Sequence, residues 1–505
     1  MITKSQHQDR VSVWSPTFAL TAASAFMVAI DNLVVVTALP VIGHAFGADI
    51  KGLQWTVSAY TLTYAVFQLA SAAAGDRFGR RRVFITGLIL FVVGSGVAAT
   101  APTIQLLIGA RAVQGLGAAM VSPLALAIIA HATPRSRRAM VLAAWSGIVG
   151  IGIAIGPIVG GVLVDLASWH WIFLVNLPVG LVILPLIRVK IKESCGPRRR
   201  FDVLGVIFSS AAFAMLLYAL INGNDLGWTH PRIVGAGLGF VALLASFVLT
   251  QARTEQPMLP LRLMGRRAFA TSIVLYLLMT FGLFGALFLI SQYFQNALGY
   301  TPMQAGLAMV PAATMPVLVA PLSGLVARRY GSSSALFAGL ALQAIGLGWL
   351  SLAVAPGASY IRILPSLLTV GVAIGMFFGQ ISKVILESVP AEWEGIAAGV
   401  GTTFRQLGTT LGIAILGAAF AAHGGDHDAK TIADGLSAAL WIGAGAAAVA
   451  AVLALTLPRK LAEHDLDVTA VPEELDSEAA SKHVIQRQGG GRRWPINTTT
   501  QRRWW

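Results

Sequence analysis

The chain predicts an all-α integral membrane protein, with fourteen transmembrane helices forming two six-helix pseudo-repeat bundles and two further helices inserted between them. Three observations predict it. Only 11% of the residues are charged against 56% hydrophobic, whereas soluble chains carry about a quarter charged residues. Apolar stretches of the ~20 residues that a spanning helix needs recur fourteen times. Finally, Lys and Arg cluster in alternate connections between those stretches, which is how basic cytoplasmic loops mark one side of a membrane.

The stretches run over 16–40, 53–74, 83–101, 104–130, 139–165, 168–189, 203–221, 233–252, 268–294, 303–327, 333–354, 361–386, 395–422 and 434–457. The first contains Asp31 and is longer than the core of a signal peptide, so it reads as a membrane helix rather than a leader. With the N-terminus inside, cytoplasmic segments hold 29 of the 36 Lys and Arg residues. Outer loops hold four (Lys51, Arg232, Arg362 and Lys430), and Arg111, Lys383 and Arg405 fall within helices. That bias accounts for the net charge of +14 without nucleic acid. The loop 387–394 is acidic and breaks the pattern.

The expected organisation is a cytoplasmic N-terminus over 1–15, a six-helix bundle over 16–190 and a linker with two extra helices over 191–267. A second bundle over 268–457 and a disordered cytoplasmic tail over 458–505 complete it. The two bundles repeat weakly and in the same orientation. Gly152, Gly156 and Gly161 align with Gly408, Gly412 and Gly417, and the loop 75–79 aligns with 327–331. Parallel halves around a central site are one secondary-transporter design.

Asp31 is the one carboxylate well inside a predicted span. A charge there costs at least ~3 kcal/mol on insertion scales, so it marks a functional position by default. Arg111 in the fourth span supplies a partner. Both sit roughly 10–14 Å below the outer ends of their helices at ~1.5 Å per residue. Removal from water disfavours a carboxylate while a nearby guanidinium favours it, so opening and closing such a site can change its proton occupancy. The alternative is a purely structural ion pair.

A second constellation, Gly75-Asp76-Arg77-Phe78-Gly79-Arg80-Arg81-Arg82, makes a tight basic loop. Glycines allow positive φ in a short turn, and an acid among four arginines suggests a conformational latch beyond plain topology. In the fifth span Gly152, Gly156, Gly160 and Gly161 surround Pro157. Small residues let helices approach closely, and proline bends them. Candidate pocket residues are Asp31, Arg405 near the midplane of the thirteenth span, and Phe281, Phe284, Gln292 and Tyr293 of the ninth. Lys383 reads as a residue snorkelling to the interface, and the single cysteine, Cys195, as an incidental loop thiol.

With these residues in place, the chain resembles the fourteen-helix drug:proton antiporter family of the major facilitator superfamily over about residues 10 to 460. Asp31-Asn32 through Ala38-Leu39-Pro40 resembles the family's helix-one motif. Gly75 to Arg82 resembles its loop motif, with Ala72 and Ala74 where Gly and Leu are usual. Arg111-Ala-Val-Gln114-Gly115-Leu-Gly117 resembles the helix-four motif, whose Arg is linked to proton transfer. Gly152 through Gly156-Pro157 to Gly160-Gly161 resembles the helix-five motif of antiporters. Trp169-His170-Trp171 through Asn176 and Pro178 resembles the start of helix six, with His170 where Arg is usual.

The resemblance implies proton-driven export of amphipathic, often cationic drugs or antibiotics by a cytoplasmic-membrane protein, with both termini inside. It implies no cofactor or metal, and the expected state is a monomer. No acid occurs between Met303 and Ala327, where some members carry one, which argues against dicationic substrates. The rival readings are a nutrient importer or symporter, against which the helix-five motif speaks, and a membrane-embedded transferase. The latter needs a catalytic cluster, yet the nine histidines lie in loops, tails or helix ends. An ATP-driven pump lacks its Gly-x-x-x-x-Gly-Lys-Ser/Thr phosphate loop.

Overall fold

The computed structural model describes residues 15–196, 202–254, 257–390, 393–425 and 428–458. The segments 1–14 and 459–505, with the expected cytoplasmic N-terminus and disordered tail, lie outside the described residues, as do Arg198, Arg199 and Arg200. Among the described residues fourteen long helical segments follow one another. They are α1 (Pro16–Phe46), α2 (Ile50–Phe78), α3 (Arg80–Ala99), α4 (Ile104–Ala132), α5 (Arg135–Leu166), α6 (Trp171–Lys190) and α7 (Val203–Leu226). They continue with α8 (Pro231–Arg253), α9 (Arg267–Ala297), α10 (Pro302–Tyr330), α11 (Ser332–Ala353), α12 (Tyr360–Glu387), α13 (Glu394–His423) and α14 (Ala429–Ala454). Thirteen of them are long and apolar enough to cross a membrane. The remaining one, α2, has 29 residues but buries Gln54, Thr56, Ser58, Thr61, Gln68 and Ser71. Gln54, Thr61 and Gln68 find hydrogen-bond partners in α13 instead of facing lipid, as polar groups kept in a membrane must.

Local chemistry sets the helix ends. Ser15 caps α1, its hydroxyl accepting from the Phe18 amide, with Pro16 in the first turn, where a missing amide costs nothing. The helix does not stop at Pro40, as the sequence suggests, but continues to Phe46 and ends on the left-handed Gly47. Proline forfeits one backbone hydrogen bond, and packing on both sides of a buried Pro40 holds the helix together. The sixth and tenth spans, expected as single helices, are each interrupted: Trp171–Leu174 precedes Asn176–Lys190, and Pro302–Ala308 precedes Val310–Tyr330. Helix α9 ends in a π-helical turn over Tyr293–Ala297.

The internal repeat is visible in packing. Gly152, Gly156 and Gly160 present the bare face of α5 to α1, where an added Cβ would meet Phe26, Leu33 and the Val34 carbonyl. Their counterparts Gly408 and Gly412 present α13 to the backbone of α9 at Leu277 and Phe281. Gly161 and Gly417 instead meet the opposite half, at Met303 of α10 and Gln54 of α2. The matched loops also share a conformation. Gly79 and Gly331 end α2 and α10 at φ 106° and 93°, a region open to glycine but strained for residues with a Cβ.

The inserted helices α7 and α8 pack on each other, and α7 also lies against α2 and α13. Asn224 donates to the Ala418 carbonyl at 2.6 Å, and Lys51 pairs with Asp225.

Candidate functional site: a buried acid beside a one-sided cavity

Asp31 and Arg111 meet. Their side chains are fully enclosed, and Arg111 Nη1 donates to Asp31 Oδ2 at 2.6 Å. The other carboxylate oxygen accepts from Gln114 Nε2 at 3.2 Å and Asn176 Nδ2 at 3.1 Å. Gln114 closes the ring, its Oε1 accepting from Arg111 Nη1 at 2.9 Å. The Ser95 hydroxyl accepts from Asn176 at 3.0 Å and donates to the Phe173 carbonyl at 2.8 Å. The network therefore joins four helices, α1, α3, α4 and α6, with the donors to the carboxylate coming from α4 and α6. Arg111 Nε and Nη2 have no hydrogen-bond partner, but the guanidinium lies 4.2 Å from the Tyr60 ring centroid and 5.9 Å from that of Phe173, where aromatic faces attract a cation.

Gly115 supports this arrangement by bringing α4 onto the Tyr60 carbonyl and the Thr63 hydroxyl. Gln114, grouped with the conformational residues by its motif, is thus a direct ligand of the acid. Asn176, Ser95 and Tyr60 were not singled out as site residues. Asn176 had a signal, an uncharged amide just inside a span, but nothing local tied it to Asp31.

At the α2–α3 turn, Arg80 pairs with Asp76 at 2.7 Å. The chain after α6 folds across this turn: the Arg80 amide donates to the Ser194 carbonyl at 2.8 Å, and the Arg81 amide donates to Glu193 at 2.9 Å. Arg77 projects outward over the ring of its neighbour Phe78 and makes no ion pair among the described residues.

A cavity of about 1680 Å³ lies between the two bundles. Its mouth is at the end of the molecule bearing Asp76, Arg80, Arg138 and Glu394. The opposite end is closed by contacts between the bundles. Gln54 donates to the Ile413 carbonyl at 3.1 Å, Gln295 to the Thr37 carbonyl at 2.8 Å, and the Met303 amide to Asp165 at 3.0 Å. Gly161 and Gly306 allow the close backbone approach of α5 to α10 there, Gly306 facing the Pro157 carbonyl.

Of the expected pocket residues, Phe284 and Arg405 line the cavity. Asp31, Phe281, Gln292 and Tyr293 do not. Asp31 is sealed behind its three donors. On α9 the cavity wall is centred on Leu283, Leu287 and Ile290, spaced four and three residues apart on one helical face, with Tyr276, Phe284 and Ala286 beside them. Phe281 and Gln292 each lie two residues beyond an end of that row, roughly 200° round the helix, and are buried in packing. Tyr293 is turned away by the π-helical segment and donates its hydroxyl to the Ala355 carbonyl at 2.7 Å.

The sequence pattern of the Major Facilitator Superfamily matches residues 21–413. The chain belongs to this superfamily. Among curated proteins, this superfamily member is 37% identical over 408 residues to "Multidrug resistance protein Stp" of Mycobacterium tuberculosis, a match covering 80% of this chain and 76% of the relative. It is 33% identical over 413 residues to "Tetracenomycin C resistance and export protein" of Streptomyces glaucescens, covering 81% and 77%. It is also 30% identical over 412 residues to "Methylenomycin A resistance protein" of Bacillus subtilis, covering 81% and 88%. Solved structures share the superfamily fold at low identity. A POT family transporter aligns with TM-score 0.67 at 15% identity over 88% of this chain and 96% of that one. A D-xylose-proton symporter aligns at 0.63 and 16%, over 88% and 98%.

Proposed function

We propose that this superfamily member is a proton-coupled antiporter that exports amphipathic drugs or antibiotics across the bacterial cytoplasmic membrane by alternating access. The observation that carries the reading is Asp31, the one buried carboxylate among the described residues, held by donors from α4 and α6. A proton on Asp31 would cancel the charge that Arg111 neutralises and remove an acceptor from Gln114 or Asn176. The helices joined by those bonds would then favour a different packing. The low-dielectric site makes each such change large, and the glycine seam of α5 against α1 and α10 gives the helices a surface on which to move. The resistance and export functions named for the relatives support the substrate class.

The basic-residue bias supports cytoplasmic termini and a cavity opening to the cytoplasm, and the proposed transporter is a monomer driven by the proton gradient without a cofactor. Cys195, the single cysteine of the chain and exposed, tests that orientation. A membrane-impermeant maleimide is expected to label it in everted vesicles and to leave it unlabelled in right-side-out spheroplasts. The reverse pattern would invert the topology.

The coupling test uses everted vesicles with an acid interior. Substrates from a panel of antibiotics and lipophilic dyes are expected to dissipate the pH gradient with wild type and not with Asp31→Asn, which preserves size and one acceptor oxygen but carries no titratable carboxyl. Gradient-driven transport by Asp31→Asn at the wild-type rate would remove Asp31 from the coupling path.

A further inference from the structure

Arg405 is the charged residue deep in the cavity, away from the charges at its mouth, and the proposed mechanism leaves it unused. It is the twelfth residue of α13, about 16 Å from that helix's inner end at ~1.5 Å per residue, close to the middle of a hydrocarbon core ~30 Å thick. Its side chain is partly exposed and lines the cavity wall. Among the described residues it makes no salt bridge and no side-chain hydrogen bond; only its backbone carbonyl is engaged, by Thr280 and Thr409. A guanidinium has five N–H donors in a planar fork, and here all five remain free at the depth where a charge is most costly.

No carboxylate among the described residues balances it. The acids that line the cavity, Asp76, Asp202 and Glu394, sit at helix ends beside the mouth. Asp76 is taken by Arg80, and Asp202 accepts from Gln251 and the Gly205 amide. Asp31 is committed to Arg111 and does not reach the cavity surface. Among the described residues the middle of the cavity therefore carries one positive charge with no carboxylate partner. Around it the wall is aromatic and weakly polar: Tyr64, Tyr276, Phe284 and Phe378, with the Gln68–Thr402 hydrogen bond at 2.7 Å one helical turn away. A cationic fork facing the cavity at this depth attracts a counter-charge, and its planar donors fit the oxygen pair of a carboxylate or sulfonate best.

We propose that Arg405 is the substrate-recognition residue of this transporter and that the cavity selects amphipathic aromatic compounds bearing an acidic group. The inference rests on the export reading given above and names its substrate class, opposite in charge to the cations that the family resemblance implies. The acidic group binds the guanidinium while the ring system lies among Tyr64, Tyr276 and Phe284. The charge also changes the energetics of exchange. Exporting an anion against protons adds its own charge to the charge moved, whereas exporting a cation subtracts it, so the membrane potential assists the anion more.

The test compares two xanthene dyes of similar shape and opposite charge, fluorescein and tetramethylrhodamine methyl ester, in energised everted vesicles. Wild type is expected to accumulate fluorescein faster, with a further gain when a potassium diffusion potential makes the interior positive. Arg405→Gln is expected to lower fluorescein uptake at least tenfold while leaving rhodamine ester uptake within twofold, and Arg405→Lys to retain most fluorescein uptake. Fluorescence polarisation with the purified protein supplies a second readout, in which Arg405→Gln weakens fluorescein binding at least tenfold at unchanged melting temperature. Uptake of the rhodamine ester but not fluorescein, indifferent to Arg405, overturns the substrate class and leaves the export reading standing. Uptake of neither dye, with no substrate of any charge dissipating the pH gradient, overturns both.

Discussion

Arg111→Ala is expected to abolish transport and to lower the yield and melting temperature of the purified protein. Among the described residues its guanidinium is the sole cation bonded to Asp31, a carboxylate buried away from water. Truncation leaves Asp31 with two amide donors and a void beside Tyr60. Stranding one member of a buried ion pair costs about 3–5 kcal/mol, a large fraction of the stability of any domain. The second substitution separates folding from coupling. Asp31→Asn introduced into Arg111→Ala removes the stranded charge and is expected to restore most of the melting temperature while transport stays absent. Such non-additivity is the signature of two residues acting as one unit. A single variant as stable as wild type would mean that Asp31 is not held as an anion by Arg111.

The pair was legible in the sequence because charged residues inside spans are rare enough to point at one another. Position along two helices of known direction gave a shared depth, and the helix-four motif named the same arginine. Asn176, Ser95 and Tyr60 were not legible as ligands because uncharged polar and aromatic side chains are common in membrane helices. Their role depends on which faces of α2, α3 and α6 turn towards α1. The same limit explains the pocket. Phe281 and Phe284 are alike in chemistry and neighbours in sequence, yet only Phe284 reaches the cavity. Helical phase relative to the cavity, which the aromatic content of the span does not reveal, decides between them. The glycine repeat was more informative, because a missing side chain is useful only where two backbones meet. Its matched positions meet corresponding helices, α5 against α1 and α13 against α9 within each half, and the opposite half at Gly161 and Gly417.

Gly160 and Gly161 are adjacent and are expected to respond differently to the same added methyl group. A Cβ at Gly160 would stand 2.7 Å from the Val34 carbonyl oxygen, a contact between α5 and α1 within one bundle. Backbone atoms cannot swing aside as a flexible side chain does, so overpacking costs about 1–3 kcal/mol. Gly160→Ala is therefore expected to lower the melting temperature and transport together. A Cβ at Gly161 would stand 2.8 Å from Cα of Met303, in the contact that closes one end of the cavity. Alternating access requires that contact to open, so the same penalty falls on one conformation and not on the fold. A bias of about 1–3 kcal/mol corresponds to roughly 5- to 150-fold in population. Gly161→Ala is expected to keep its melting temperature, to favour the conformation open at the α5–α10 end and to transport slowly because it resets poorly. A cysteine introduced for Gln295 would report this, reacting with impermeant maleimide faster in the Gly161→Ala background than in its absence. The control is Gly235→Ala on α8, where an added Cβ meets nothing within 4 Å and neither readout should change. Equal reactivity of that cysteine with and without the substitution would show that the glycine contact does not gate the closed end.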